Sequence, residues 1–207
     1  MNNKWNKVVY KIGAPFYDRL FNTGSFLKAR KRVFEELSLR QGQHILFVGV
    51  GTGADLEFFH TSGIKITAID ISASMLAMAK AKVNQHMDIN FIEMDAQQLQ
   101  FQEQTFDIVV ANLILSVVPD ANQCMGEIVR VTKEQGTIVI FDKFEPDKGK
   151  PSLFKKLLRP VISLLGTDIG RNFQSIVQPF YEKLQIKQNT PVLLNGMYRK
   201  IILEKLK

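Results

Sequence analysis

The chain carries one cysteine, one tryptophan and three histidines in 207 residues. A lone thiol, Cys124, excludes an internal disulfide and most cysteine-built metal sites, and it fits a reducing cytoplasm. No stretch reaches the ~18 consecutive apolar residues that a membrane span requires. The longest, at 108–118, is interrupted by Asn112 and Ser116. The amino terminus, MNNKWNKVVYK, has no apolar core of a secretory signal. Internal repeats and low-complexity linkers are also missing. With 45% apolar and 23% charged residues, what remains is the expectation of one cytoplasmic globular domain.

Charge is unevenly placed. Residues 1–32 carry a net +7, residues 33–142 a net −8, and the segments 143–171 and 172–207 a net +4 each. An acidic centre between basic ends points to an anionic partner met by the ends, or to ordinary solvated helix faces.

Residues 1–39 read as two helical stretches broken at 22–25 (NTGS). In the second, Phe26, Leu27, Arg30, Val33, Phe34 and Leu37 recur at helical spacing until Gln41-Gly42. Strand and helix then alternate. Short runs of β-branched and aromatic residues predict strands at 44–49, 65–70, 89–94, 106–112 and 136–144, and helical windows fall at 54–60, 73–86 and 120–132. Such alternation predicts right-handed crossovers and a parallel sheet. Two further strands, 184–194 and 197–206, meet at Asn195-Gly196, which suits a two-residue hairpin turn with an antiparallel last strand.

The chemistry concentrates where strands end. The first strand runs into Gly49-Val50-Gly51-Thr52-Gly53 and then a predicted helix, whose N–H groups suit an anionic group. Nineteen residues beyond Gly51, the second strand ends in Asp70, a carboxylate able to accept both ribose hydroxyls of an adenosine ligand or simply to cap the helix starting near Ser72. Asp95-Ala96 follows the third strand, and the fourth ends in Asn112. All four features fall at the carboxyl ends of successive strands, where open α/β sheets bind ligands.

In VGVGTG, Ile69 to Ala79, MDA (94–96) and FDIVVAN, the chain resembles the class I S-adenosylmethionine methyltransferases over about residues 10–207. The resemblance implies a Rossmann-like α/β fold: a seven-stranded, mostly parallel sheet with an antiparallel C-terminal hairpin and helices on both faces. It implies S-adenosylmethionine as cofactor and no metal. Gly49, Gly51 and Gly53, with Val50 and Thr52, would hold the methionine portion. Asp70 would hold the ribose and Asp95 and Ala96 the adenine; Ile71, Met75 and Asn112 would complete the cofactor site, Asn112 at the lip where the reacting end would lie. Residues 1–42 would form a helical cap, 43–144 the cofactor-binding half, and 145–207 the acceptor-side helices and hairpin. One departure stands out: Phe47 occupies the position where the family commonly carries an acid. A dinucleotide enzyme is the competing reading, because Gly49-x-Gly51-x-x-Ala54 with Asp70 also satisfies that fingerprint. No second mononucleotide-binding half supports it.

The acceptor is less constrained. Cys124 lies mid-helix without a Pro-Cys motif, and the lip reads NLIL (112–115) rather than Asn-Pro-Pro-aromatic, which disfavours nucleobases. His44 opens the first strand at the wrong edge, and His60 and His86 close helices. Without an evident general base, a deprotonated amine is the expected acceptor, with catalysis by positioning; a thiol or enol needing modest help is the variant. Two basic amphipathic stretches, within 4–20 and 152–165, suit an anionic membrane surface or serve as cap helices. FYDRLF, the region 161–173 and GMYRK (196–200) resemble bacterial phospholipid N-methyltransferases and ubiquinone/menaquinone C-methyltransferases. That resemblance implies an acceptor-positioning role for Tyr17, while the basic amphipathic flanks and the missing base lead to the expectation of a lipid-like or small amphiphilic acceptor and peripheral attachment at the inner membrane face. Soluble small-molecule or quinone methylation is the alternative within enzymes. A non-catalytic cofactor-binding or RNA-associating protein is the alternative outside them, with nucleic acid disfavoured by the absence of a recognisable binding motif.

Overall fold

The computed structural model describes residues 24–35, 37–59, 63–83, 87–145 and 167–207. Seven strands form one sheet in the order β3-β2-β1-β4-β5-β7-β6. Their ranges are β1 His44–Val48, β2 Lys65–Asp70, β3 Asp88–Glu93, β4 Phe106–Asn112, β5 Thr132–Lys143, β6 Leu184–Leu193 and β7 Tyr198–Lys205. β1 through β5 are parallel, and β7 runs antiparallel to both β5 and β6. The central strands read as continuous apolar runs because helices cover both faces. The α-helices among the described residues are α1 (Gly24–Phe34), α2 (Ala73–Lys82), α3 (Ala121–Val131) and α4 (Phe173–Val177).

One face of the sheet packs on α3 and α4, through Cys124, Met125, Ile128, Phe173 and Ile176; the other packs on α1 and α2, through Val33, Phe34, Leu76 and Ala79. Side chains alternate along β4 accordingly: Val109 and Ala111 enter the first core, Ile108 and Val110 the second. Ser72 caps α2 by accepting from the Met75 N–H, and Asp120 caps α3 by accepting from Asn122 and Gln123. Cys124 is fully buried in α3, and burial pushes its thiol above the ordinary value, so it packs rather than reacts. Among the described residues, no helix is long and apolar enough to cross a membrane.

Four local expectations need correction. The helix expected over 54–60 is a single 3-10 turn, Leu56–Phe58, because Asp55 turns its carboxylate inward instead of capping and Phe59 is drawn into the core against Phe34 and Phe47. α2 ends at Lys82 rather than at 86, Val83 being already extended. β5 starts at Thr132, directly after α3; a left-handed Gln135 and a register shift opposite Phe106 and Ile108 break the apolar pattern that marked only its later part. The hairpin joins Leu193 to Tyr198 through four residues, with Leu194, Asn195 and Gly196 all at positive φ, so it is not the two-residue turn that Asn-Gly suggests. The amphipathic segments within 4–20 and 152–165, together with Tyr17, His60 and His86, lie outside the described residues.

Candidate functional site: a cleft at the carboxyl edge of the sheet

β1 leaves the sheet at Val48 and the chain turns back over it. Val50 donates to the Ile69 carbonyl, and Gly53 donates to Val50. Two glycines are required for this turn. Gly49 has φ 72°, and a Cβ there would lie 2.7 Å from Ile114 Cδ1; Gly53 has φ 77°, and its Cβ would lie 2.9 Å from the Ala79 Cα in α2. The first lets the loop lie beneath the lip, and the second lets α2 pack directly on the loop.

An open cleft of about 700 Å³ lies above this loop. The structure brings Gly49, Gly51, Asp70, Ile71, Met75, Asp95, Ala96 and Asn112 together as its lining. Val50 and Thr52 are buried, and Gly53 sits against Ala79, so these three support the loop without lining the cleft. The expected anion site at a helix start is absent among the described residues: no α-helix follows the loop, and the Gly51 and Gly53 N–H groups are already used within the protein.

Asp70 is held from two sides. Its Oδ2 accepts from the Gly51 N–H and its Oδ1 from the Ser72 N–H, both at 2.9 Å. It therefore orders the glycine loop and the start of α2 while keeping lone pairs on each oxygen. Burial pushes its carboxyl above the ordinary value, opposed by those backbone donors. Asp95 is oriented by Gln97, whose N–H donates to Asp95 Oδ1 and whose amide donates to both carboxylate oxygens; the Gln97 Oε1 accepts from Asp120 at the start of α3.

The other wall is the lip after β4, made of Leu113, Ile114, Val117 and Val118. Leu113 has φ 54°, an uncommon conformation for a branched side chain. Several bonds hold it there: Leu113 donates to Phe141, Ser116 to the buried Asp142, and Arg171 to the carbonyls of Leu115 and Val118. Behind the lip, Asn112 donates its Nδ2 to Asp55 Oδ2 at 2.8 Å. Asp55 Oδ1 accepts from Arg30 Nε and Nη2, each also at 2.8 Å, and both side chains of this ion pair are 8% exposed. The Asn112 Oδ1 is buried and has no hydrogen-bond partner. Phe47 is buried and packs edge-on against Phe59, 4.9 Å between centroids, so the acid that the family often has there is replaced by aromatic packing.

Sequence reasoning missed Arg30, Asp55, Gln97, Asp142 and Arg171. Arg30 left a signal, being a charge on the apolar stripe of its helix that needs a buried partner.

Glycine loop, paired carboxylates and apolar lip on this sheet define a nucleoside-cofactor enzyme of the α/β class. Residues 46–140 match the model of a methyltransferase domain. Phosphatidylethanolamine N-methyltransferase of Cereibacter sphaeroides is 32% identical over 173 residues, 82% of this chain and 83% of that protein. Demethylmenaquinone methyltransferase of Staphylococcus aureus (strain MRSA252) is 31% identical over 179 residues, 79% of this chain and 74% of that one. A solved S-adenosylmethionine-dependent methyltransferase of Aquifex aeolicus shares the fold at TM-score 0.65 with 19% identity, covering 98% of each chain. A chain from the complex between the Haloferax volcanii Trm112 methyltransferase activator and a methyltransferase superposes at TM-score 0.78 with 14% identity, covering all of both. This chain belongs to the S-adenosylmethionine-dependent methyltransferases, and S-adenosylmethionine is its cofactor.

Proposed function

We propose that the protein transfers the methyl group to a lipid-like or small amphiphilic acceptor, foremost an amine of the phospholipid-headgroup kind, at the membrane surface. The observation that carries this reading is the apolar lip beside two anchored carboxylates in one cleft. One side of the cleft suits a polar nucleoside, and the other suits an acceptor with an apolar body. The relatives' names support the same acceptor class, since one is a phosphatidylethanolamine and another a demethylmenaquinone methyltransferase.

The donor set fits the cofactor. Asp70 has lone pairs left for two ribose hydroxyls, and Asp95, fixed by Gln97, faces the cleft as acceptor for the adenine amino group. Met75, Ile71 and Ala96 supply apolar surface for the base, and the glycine loop allows close approach of the methionine chain. When bound, the cofactor supplies an electrophilic methyl group on a sulfonium. The chain's own part is to orient the acceptor in line with that methyl and to exclude water with Leu113, Ile114, Val117 and Val118. Asp70 and Asp95 are the titratable groups among the cleft's lining residues. With both engaged by the nucleoside, an amine entering deprotonated needs no further base. Residues 1–42 act as the cap, 43–144 as the cofactor half and 145–207 as the acceptor side of one domain, with Tyr17 shaping the acceptor pocket.

A quinone acceptor is the second reading, favoured by the near-equal identity to demethylmenaquinone methyltransferases. The test is to incubate the protein with methyl-labelled S-adenosylmethionine and either phosphatidylethanolamine vesicles or demethylmenaquinone, following label into the lipid extract. Label on phosphatidylethanolamine is expected. Label on the quinone alone overturns the amine reading, and no preference for anionic vesicles in sedimentation at physiological salt overturns membrane attachment.

A further inference from the structure

The chain Arg30–Asp55–Asn112 runs from helix α1 to the wall of the cleft, and no cofactor-binding role yet described uses its first two members. Its geometry decides which way the Asn112 amide faces. Nδ2 must point to the Asp55 carboxylate, because the flipped amide would set an oxygen against an anion and leave that anion's Oδ2 without its donor. Asp55 cannot swing away, since Arg30 holds its other oxygen with two donors in a nearly closed site. Oδ1 of Asn112 is therefore left as a fixed acceptor, unpartnered and buried. A buried acceptor without a donor is costly, and it gains most from a cationic one.

We infer that Asn112 Oδ1 receives the α-ammonium of the cofactor's methionine end, and that Arg30 and Asp55 are positioning residues that lock the amide for it. This rests on the reading of the cleft as the adenosyl cofactor's site. The assignment also accounts for Phe47. The acid that the family commonly places in β1 is gone, and the carboxylate eight residues further on, Asp55, acts on the cleft lining through the Asn112 amide. The oxygen is screened from water, so the ammonium gains it by displacing a flexible neighbour.

Two nucleosides separate this role from general support of the fold. S-adenosylhomocysteine carries the α-ammonium, whereas 5′-methylthioadenosine has the same adenosine and thioether without the amino-acid end. Calorimetric titration of both is expected to show that Asn112→Ala loses tenfold or more for S-adenosylhomocysteine and stays within twofold for methylthioadenosine. The paired replacement Arg30→Met with Asp55→Leu removes both buried charges together, so no unpaired ion is left to unfold the protein. It is expected to lose three- to tenfold for S-adenosylhomocysteine alone. Equal losses for both nucleosides, or none for either, overturn the inference while leaving the cleft's assignment standing. A wild-type protein that binds neither nucleoside overturns both.

Discussion

The two edges of this sheet carry similar side chains and use them differently. At the amino edge, His44 bonds the Thr67 hydroxyl at 2.9 Å and its ring lies 4.5 Å from that of Phe106, while Asp107 accepts from the His44 N–H and from Lys133. Those groups bond one another. At the carboxyl edge, Asp70 and Asp95 are anchored yet face a cleft, and Asn112 keeps an acceptor with no partner. Polar groups at a strand end mark a site when their bonding is left incomplete. Their mere presence does not, and His44 shows why: burial, its largest influence, lowers its tendency to protonate, and its ring nitrogen is engaged with Thr67.

The comparison breaks most sharply at Asp70. Replacing it with Ala removes a charged acceptor for two hydroxyls and the anchor of Gly51, a loss of about 3 kcal/mol or roughly 100-fold in affinity. Calorimetry with S-adenosylhomocysteine measures it, and an Asp107→Ala control at the other edge is expected to bind within twofold of wild type. Gly53→Ala comes next. A Cβ 2.9 Å from the Ala79 backbone, at positive φ, is expected to cost about 2 kcal/mol, read as a lowered midpoint in urea unfolding.

Acidity gives a third contrast. Burial raises the Asp70 carboxyl above the ordinary aspartate value, and ribose hydroxyls favour its ionised form. Affinity for S-adenosylhomocysteine should fall on acidification already above the normal aspartate range, with a proton released on binding near that pH. Because desolvation outweighs the backbone donors, the folded state prefers protonated Asp70; that contribution is present below the unfolded-state pKa and is lost as pH rises through the higher folded value. Asp107 has the opposite sign. Burial works against its charge, but the His44 N–H and Lys133 outweigh burial and hold its carboxyl below the ordinary value. Its contribution is present above the unfolded-state pKa and is lost as pH falls through the lower folded value. Being partly exposed, the Asp107–Lys133 pair contributes less than about 1 kcal/mol. Asp107→Asn is expected to flatten the acid limb of urea-midpoint against pH slightly, without moving cofactor affinity.

Much of this architecture is written locally. β2 and β4 carry short, largely β-branched runs because both faces are covered, and their ends coincide with Asp70 and Asn112, so strands and candidate site could be read together. What could not be read depends on tertiary partners. The segment 54–60 has helical composition, yet Asp55 serves Arg30 and Asn112 instead of capping, and the helix shrinks to one turn. Arg30 is legible as a charge on an apolar stripe, but the sequence does not say that its partner is Asp55. Arg171, 52 to 56 residues from the carbonyls it bonds, has no sequence signature at all. The four-residue hairpin loop turns on Leu194 adopting positive φ, which a leucine gives no reason to expect.

The central claim is that the carboxyl-edge cleft takes an adenosyl cofactor rather than a dinucleotide. Calorimetric titration of the wild-type protein with S-adenosylhomocysteine and, separately, with NAD tests it most directly. Micromolar binding of S-adenosylhomocysteine with none of NAD is the predicted result; binding of NAD, or of neither, would contradict it.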